Sequence, residues 1–236
     1  MAPKTASKGL QPILERQTVQ DQVYAQLREA LIAGAFEAKE AFTIAGLADR
    51  FQVSHMPVRE ALRRLAAESA LRIAPSGTAY VPDLSADELE DITRARVIIE
   101  GATTAIAFDH LDDDDLAQLQ AIVARHHASG LAGNTPAMTA ANREFHFHIY
   151  RAAQSPVLMS QIENLWLRSG PYVRILSDRM EQLLKTALRD SFTAHHESVC
   201  KALAIRDADA FRAAMEADIR ASHLLLRQLI AEATAP

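Results

Sequence analysis

The chain has little of what secreted, membrane-spanning or fibrous proteins depend on. A single cysteine, Cys200, leaves no internal disulfide to form, which fits a reducing, cytoplasmic setting. No run comes near the ~18 apolar residues that a membrane-crossing helix needs, which argues against a transmembrane protein. Residues 1–9 lack the apolar stretch of a signal peptide and read as loose tail. Glycine is scarce at 8 residues and aromatics reach only 6%, which excludes a collagen-like repeat. Alanine and leucine recur throughout, and 49% hydrophobic against 23% charged residues excludes a disordered chain. The protein is expected to be helical.

The net charge of −5 is unevenly spread. Residues 1–82 carry 10 Lys/Arg against 8 Asp/Glu, while 83–236 carry 15 against 22. Arg50, Arg59, Arg63 and Arg64 cluster in the first third and predict a local basic face there. The acidic remainder argues against nucleic acid touching the whole molecule.

Apolar spacing predicts a helix over 18–33, ended by Gly34, and a second over 43–51. A short turn at 52–54 leads to Ser54 as N-cap, with Pro57 and Glu60 in the first turn of a third helix that runs to about 69. Two short strands, 71–74 and 78–81, flank the Gly77 turn. Three helices and a hairpin make a winged helix-turn-helix, expected over 18–82 after a flexible tail, 1–17. Residues 82–84 read as a linker. Beyond it, helices are expected from Ser85 (a capping-box start) to about 108, from the Asp112–Asp115 run to about 130, and over 136–153. Others follow over 156–180 with a break at Gly170-Pro171, over 182–205 and over 207–230. The second domain, 83–236, is therefore an all-helical bundle of about six helices, and the fold class is mostly α.

In a helix-turn-helix the second helix enters the major groove and its N-terminal residues meet base edges. Here that end carries Ser54, His55, Met56 and Arg59, followed by Arg63 and Arg64. Arg59 suits guanine or phosphate, the later arginines phosphate. The plainer alternative is a solvated face with a Glu60–Arg64 helix pair. The segment from Val53 to Leu65, Val-Ser-His-Met-Pro-Val-Arg-Glu-Ala-Leu-Arg-Arg-Leu, resembles the winged-helix signature of the GntR family of bacterial transcription regulators. That resemblance implies double-stranded operator DNA as partner, with Arg59 on the operator and Gly77 at a wing tip near the minor groove. His55 stands where the family usually has Arg, and Lys39-Glu40-Ala41 where it usually has Gly-Glu-Arg.

Polar residues on the apolar stripes of the helical domain are informative, because burying them unpaired is costly. Asp218 falls on the stripe of Phe211, Met215 and Leu229; His196 lies between Phe192, Val199 and Leu203; Asn142 and His146 share one face of a third helix. Two imidazoles and a carboxylate bind first-row divalent metals well, and a hydrogen-bonded polar core is the plainer alternative. The Asn142–His146 segment resembles the D/N-x-x-F-H motif of the FCD effector domain of the FadR subgroup. The resemblance implies a ligand set of Asn142, His146, His196 and Asp218 around a zinc, nickel or manganese ion that helps anchor a carboxylate. Asn142 replaces the usual Asp and Asp218 a usual His. Arg96, on the stripe of Ile92, Ile99, Thr103 and Ile106, either pairs with Glu100 or clamps an anionic ligand bidentately. The subgroup resemblance implies that a small carboxylate effector meets Arg96 and the metal.

Operator binding by such a family implies a homodimer, usually a repressor. The competing reading is a metal-dependent enzyme built on His146, His196 and Asp218, which would leave the winged helix unexplained. Asp112–Asp115 reads as a dipole-matched helix start, and His126, His127 and His223 as surface residues.

Overall fold

The computed structural model describes residues 18–186 and 191–234. The tail expected over 1–17 lies outside them. Helix α1, Val19–Ile32, is opened by a Thr18–Asp21 capping box and buries Val23, Leu27 and Leu31. A short strand β1, Ala41–Phe42, precedes α2, Ile44–Phe51, whose C-cap Gln52 takes a left-handed conformation. Helix α3, His55–Ala67, buries Val58, Ala61 and Leu65 against α1. Strands β2, Arg72–Ile73, and β3, Ala79–Tyr80, complete a three-stranded antiparallel sheet in the order β1-β3-β2. Phe42 pairs with Ala79, and Ile73 pairs with the same residue from the other side. Strand β1 was not expected: two residues carry no alternation, so only the pairing reveals it.

The chain then passes through 82–84, where Tyr172 both donates to the Ser85 carbonyl (3.0 Å) and accepts from the Ser85 amide (3.3 Å). Helix α4, Ala86–Ala107, and α10, Ala208–Thr234, pack along each other. Around them lie α5, Asp113–Leu131; α6, Thr135–Ala152; α7, Pro156–Arg168; α8, Gly170–Leu183; and α9, Ala194–Ala204. Asp112 and Asp115 form a capping box at the head of α5, so the acidic run does start a helix. The break before Gly170 also stands where expected. The helix expected over 182–205 begins only at Ala194; α8 ends at Leu183, and 187–190 lie outside the described residues.

The two halves meet through backbone. A Cβ placed on Gly170, at the start of α8, would lie 2.1 Å from the Leu31 carbonyl oxygen near the end of α1. Gly34 faces the Arg174 amide with the same intimacy, 2.8 Å from a hypothetical Cβ, and takes a φ of +68° that favours glycine. The end of α1 is thus fixed against the helical domain.

Candidate DNA interface and effector cavity

The short turn at Gln52 and Val53 throws α3 across α2 and leaves its N-terminal end in solvent. Ser54, His55, Met56, Arg59 and Arg63 are exposed, and Met56 is 60% so. Ser54 holds the N-cap backbone position, yet its hydroxyl makes no capping hydrogen bond. Among the described residues no carboxylate pairs with Arg59. Glu60 takes Arg63 (3.0 Å) rather than the expected Arg64. Arg64 lies 3.6 Å over the Tyr24 ring and 3.4 Å from Glu68, so it also ties α3 to α1. Gly77 tips the β2–β3 hairpin at φ +84°, with none of the described residues within 4 Å of a hypothetical Cβ. The wing tip is therefore open to a neighbouring surface.

In the helical domain α6, α9 and α10 bring His146, His196 and Asp218 together, with candidate ligand atoms all within 4.8 Å of one another. His146 Nε2 lies 3.1 Å from one Asp218 oxygen and His196 Nε2 lies 3.4 Å from the other. Burial alone would raise the Asp218 carboxyl, but the facing imidazoles, His196 foremost, hold it well below the usual range. Burial lowers the His146 pKa against the pull of Asp218. Behind the cluster, His146 Nδ1 sits 3.0 Å from the Tyr150 hydroxyl, which donates to Glu100 Oε2 at 2.5 Å. Glu100, fully buried, also accepts two bonds from Arg96, at 2.6 and 3.2 Å.

This relay fixes proton positions. Tyr150 has one proton and gives it to Glu100, so its oxygen accepts from His146 Nδ1–H. With Nδ1–H committed to Tyr150, His146 Nε2 faces Asp218 across 3.1 Å, a separation that a shared proton or a bound cation can bridge. The buried His196 Nε2 makes no well-aligned hydrogen bond among the described residues. The donor set, two imidazole nitrogens and a carboxylate with a second layer that orients them, fits a divalent first-row metal.

His126, expected at the surface, is 3% exposed and lies 3.3 Å from His196, Nδ1 to Nδ1. Burial foremost, and then the neighbouring His196, pushes its pKa down to about 3. The signal was present in the sequence, since Leu119, Ile122 and Val123 lead to position 126 at helical spacing. His223 is also buried, held by Thr93 and Glu90, contrary to the surface expectation. Ile106, expected on the buried stripe of α4, is 47% exposed instead.

Asp218 and Asn142 open onto a cavity of about 1330 Å3, walled also by His126, Trp166 and Arg143. The buried Trp166 Nε1–H has no hydrogen-bond partner among the described residues. Arg96 is not among the residues that wall this cavity; its guanidinium stacks 4.9 Å over Trp166 and is committed to Glu100. The cavity has one wall that sequence reasoning missed: residues 29–30 and 32–35, the end of α1 and the turn after it.

Among the described residues no helix is long and apolar enough to cross a membrane. The FCD domain profile matches residues 91–221, and that of bacterial regulatory proteins of the gntR family matches 19–81. The HTH-type transcriptional regulator McbR of Escherichia coli K12 is 32% identical over 74% of this chain and 78% of its own. A solved structure of E. coli McbR/YncC superposes with a TM-score of 0.81 at 29% identity, covering 89% of this chain and 98% of that one. A GntR regulator structure from Rhodococcus sp. RHA1 shares the fold, with a TM-score of 0.71 at 15% identity over 88% of this chain and 96% of that one. The chain belongs to the GntR family of transcription regulators, its winged helix-turn-helix followed by an FCD domain.

Proposed function

We propose that the protein is a dimeric repressor in the cytoplasm whose FCD cavity binds a small carboxylic acid at a divalent metal and thereby releases operator DNA. The observation that carries the reading is the shared wall: one cavity is bounded by Asp218, the carboxylate of the His146–His196–Asp218 cluster, and is closed on another side by the end of α1 of the winged helix. A ligand filling it touches both modules, so its binding energy can differ between two placements of the winged helices.

His146, His196 and Asp218 would hold the ion, with Asn142 one turn before His146. The ion would supply a positive anchor for a carboxylate oxygen. Tyr150 and Glu100 keep His146 in the tautomer that presents Nε2, and Trp166 offers an indole N–H to the ligand. On the DNA side, Arg59 and His55 stand free for base edges and Gly77 for the minor groove, while Arg63, exposed and paired with Glu60, can exchange that partner for a phosphate. The regulators among its relatives favour a non-enzymatic role for the same cluster.

The test is metal content of the purified protein with His146→Ala and His196→Ala beside it, followed by DNA binding. About one divalent ion per chain, lost in both variants, is the expected result. Duplexes selected from a random library should bind the wild-type dimer and be released by dicarboxylates. Absence of metal from a folded wild-type protein overturns the metal, and duplex binding unaffected by any acid overturns the effector reading.

A further inference from the structure

Arg143 is the basic group whose setting the sequence did not reveal. It projects from α6 into the cavity wall and makes a two-pronged ion pair with Glu29 of α1, 2.5 and 3.2 Å. The pair joins residues 114 positions apart and crosses from the winged helix to the helical domain. The two differ in what else holds them. Glu29 is 55% exposed at its side chain, with Arg28 at 4.0 Å as its only other cation among the described residues. Arg143 is 28% exposed and packs 5.1 Å over the Phe147 ring, so the guanidinium is the fixed partner and the carboxylate the removable one. The Arg143 pair lowers the Glu29 pKa, so the carboxylate is ionised near neutral pH.

A guanidinium fork binds a ligand carboxylate in the same geometry as a side-chain one. Arg96 cannot take that role without abandoning the fully buried Glu100. Arg151 also walls the cavity, 5.6 Å from the Phe147 ring, and has no carboxylate partner among the described residues. The acidic cluster end and this basic end make the cavity two-sided. Resting on the effector reading above, we infer that Arg143 anchors the second carboxylate of a dicarboxylic effector, and that Glu29 holds this anchor when no acid is bound. Entry of the acid then breaks the Glu29–Arg143 tie. The winged helix keeps the Arg28–Glu163 pair (3.1 Å) and the Asn164 bond to the Glu68 carbonyl (3.1 Å), so the junction loosens rather than comes apart.

The test measures calorimetric affinities of the full-length, metal-loaded protein for malonate, succinate, glutarate, adipate and citrate. Glu29→Gln removes the competing carboxylate and should bind the preferred acid about three- to fivefold tighter, the scale of a partly exposed ion pair. Arg143→Gln should bind it at least about tenfold more weakly, and Arg143→Lys, which keeps charge but loses the fork, should fall between. A merely structural pair lowers Tm in both Gln variants and moves neither affinity upward. Equal affinity in wild type, Glu29→Gln and Arg143→Gln, with all three folded, overturns this inference and leaves the effector reading standing. Failure of every acid to bind all three proteins overturns both.

Discussion

The sharpest test of how the two domains meet is Gly170→Ala. Position 170 opens α8, and an added Cβ would sit 2.1 Å from the Leu31 carbonyl oxygen and 2.9 Å from its carbon, against 3.4 Å for ordinary contact. The obstacle is backbone, so no rotamer relieves it; α1 or α8 must retreat by about an ångström. Overpacking of this kind costs about 1–3 kcal/mol, and a clash with main chain belongs at the upper end. Alanine in a helix recovers up to ~1 kcal/mol relative to glycine. The net loss is then about 2 kcal/mol, which for a chain of 236 residues lowers Tm by roughly 4–8 °C. The control is Gly101→Ala in α4, where the added Cβ meets only the flexible Glu216 side chain, nearest atom 2.8 Å. That variant should keep the wild-type Tm within about 2 °C. Scanning calorimetry of both variants reads the difference, and a Gly170→Ala protein as stable as the control would falsify the close approach of α1 to α8.

Arg96→Ala strands the fully buried Glu100 carboxylate, so it should destabilise the protein by about 3–5 kcal/mol in chemical denaturation, whatever its effect on ligand. If Arg96→Ala folds normally and loses only the acid response, Arg96 is a ligand residue after all. Arg59→Ala should weaken binding to a selected duplex by about 1–3 kcal/mol and relax sequence preference at one position; an unchanged affinity by fluorescence anisotropy removes Arg59 from the interface. Burial pushes the Cys200 thiol up to about 11, so at pH 8 iodoacetamide should alkylate it far more slowly in the native protein than in urea. Equal rates in the two states would show that α9 does not bury it.

What the sequence made legible was whatever repeats locally. Helices α1 to α3 and α4 to α7 show apolar residues at helical spacing with capping residues at their heads, and each lies within a few residues of its expected span. His146, His196 and Asp218 were legible for the same reason: each is a polar residue on an otherwise apolar stripe, and stripes converge in a bundle. Strand β1 failed this test because two residues have no period, and the start of α9 because Leu184, Leu188 and Phe192 stand at helical spacing in the sequence although α8 ends at Leu183 and α9 begins at Ala194. His126, expected at the surface, is buried on a stripe that its spacing from Leu119, Ile122 and Val123 points inward. Arg143 and Glu29 belong to a different class. Neither stands on an apolar stripe, each has polar neighbours, and only the folded chain brings α1 beside α6. Local periodicity reports which face of an element is buried; it says nothing about which charged rims meet when two domains dock. The cluster that suits a metal was therefore visible in one dimension, whereas the junction through which a ligand would act on DNA required three.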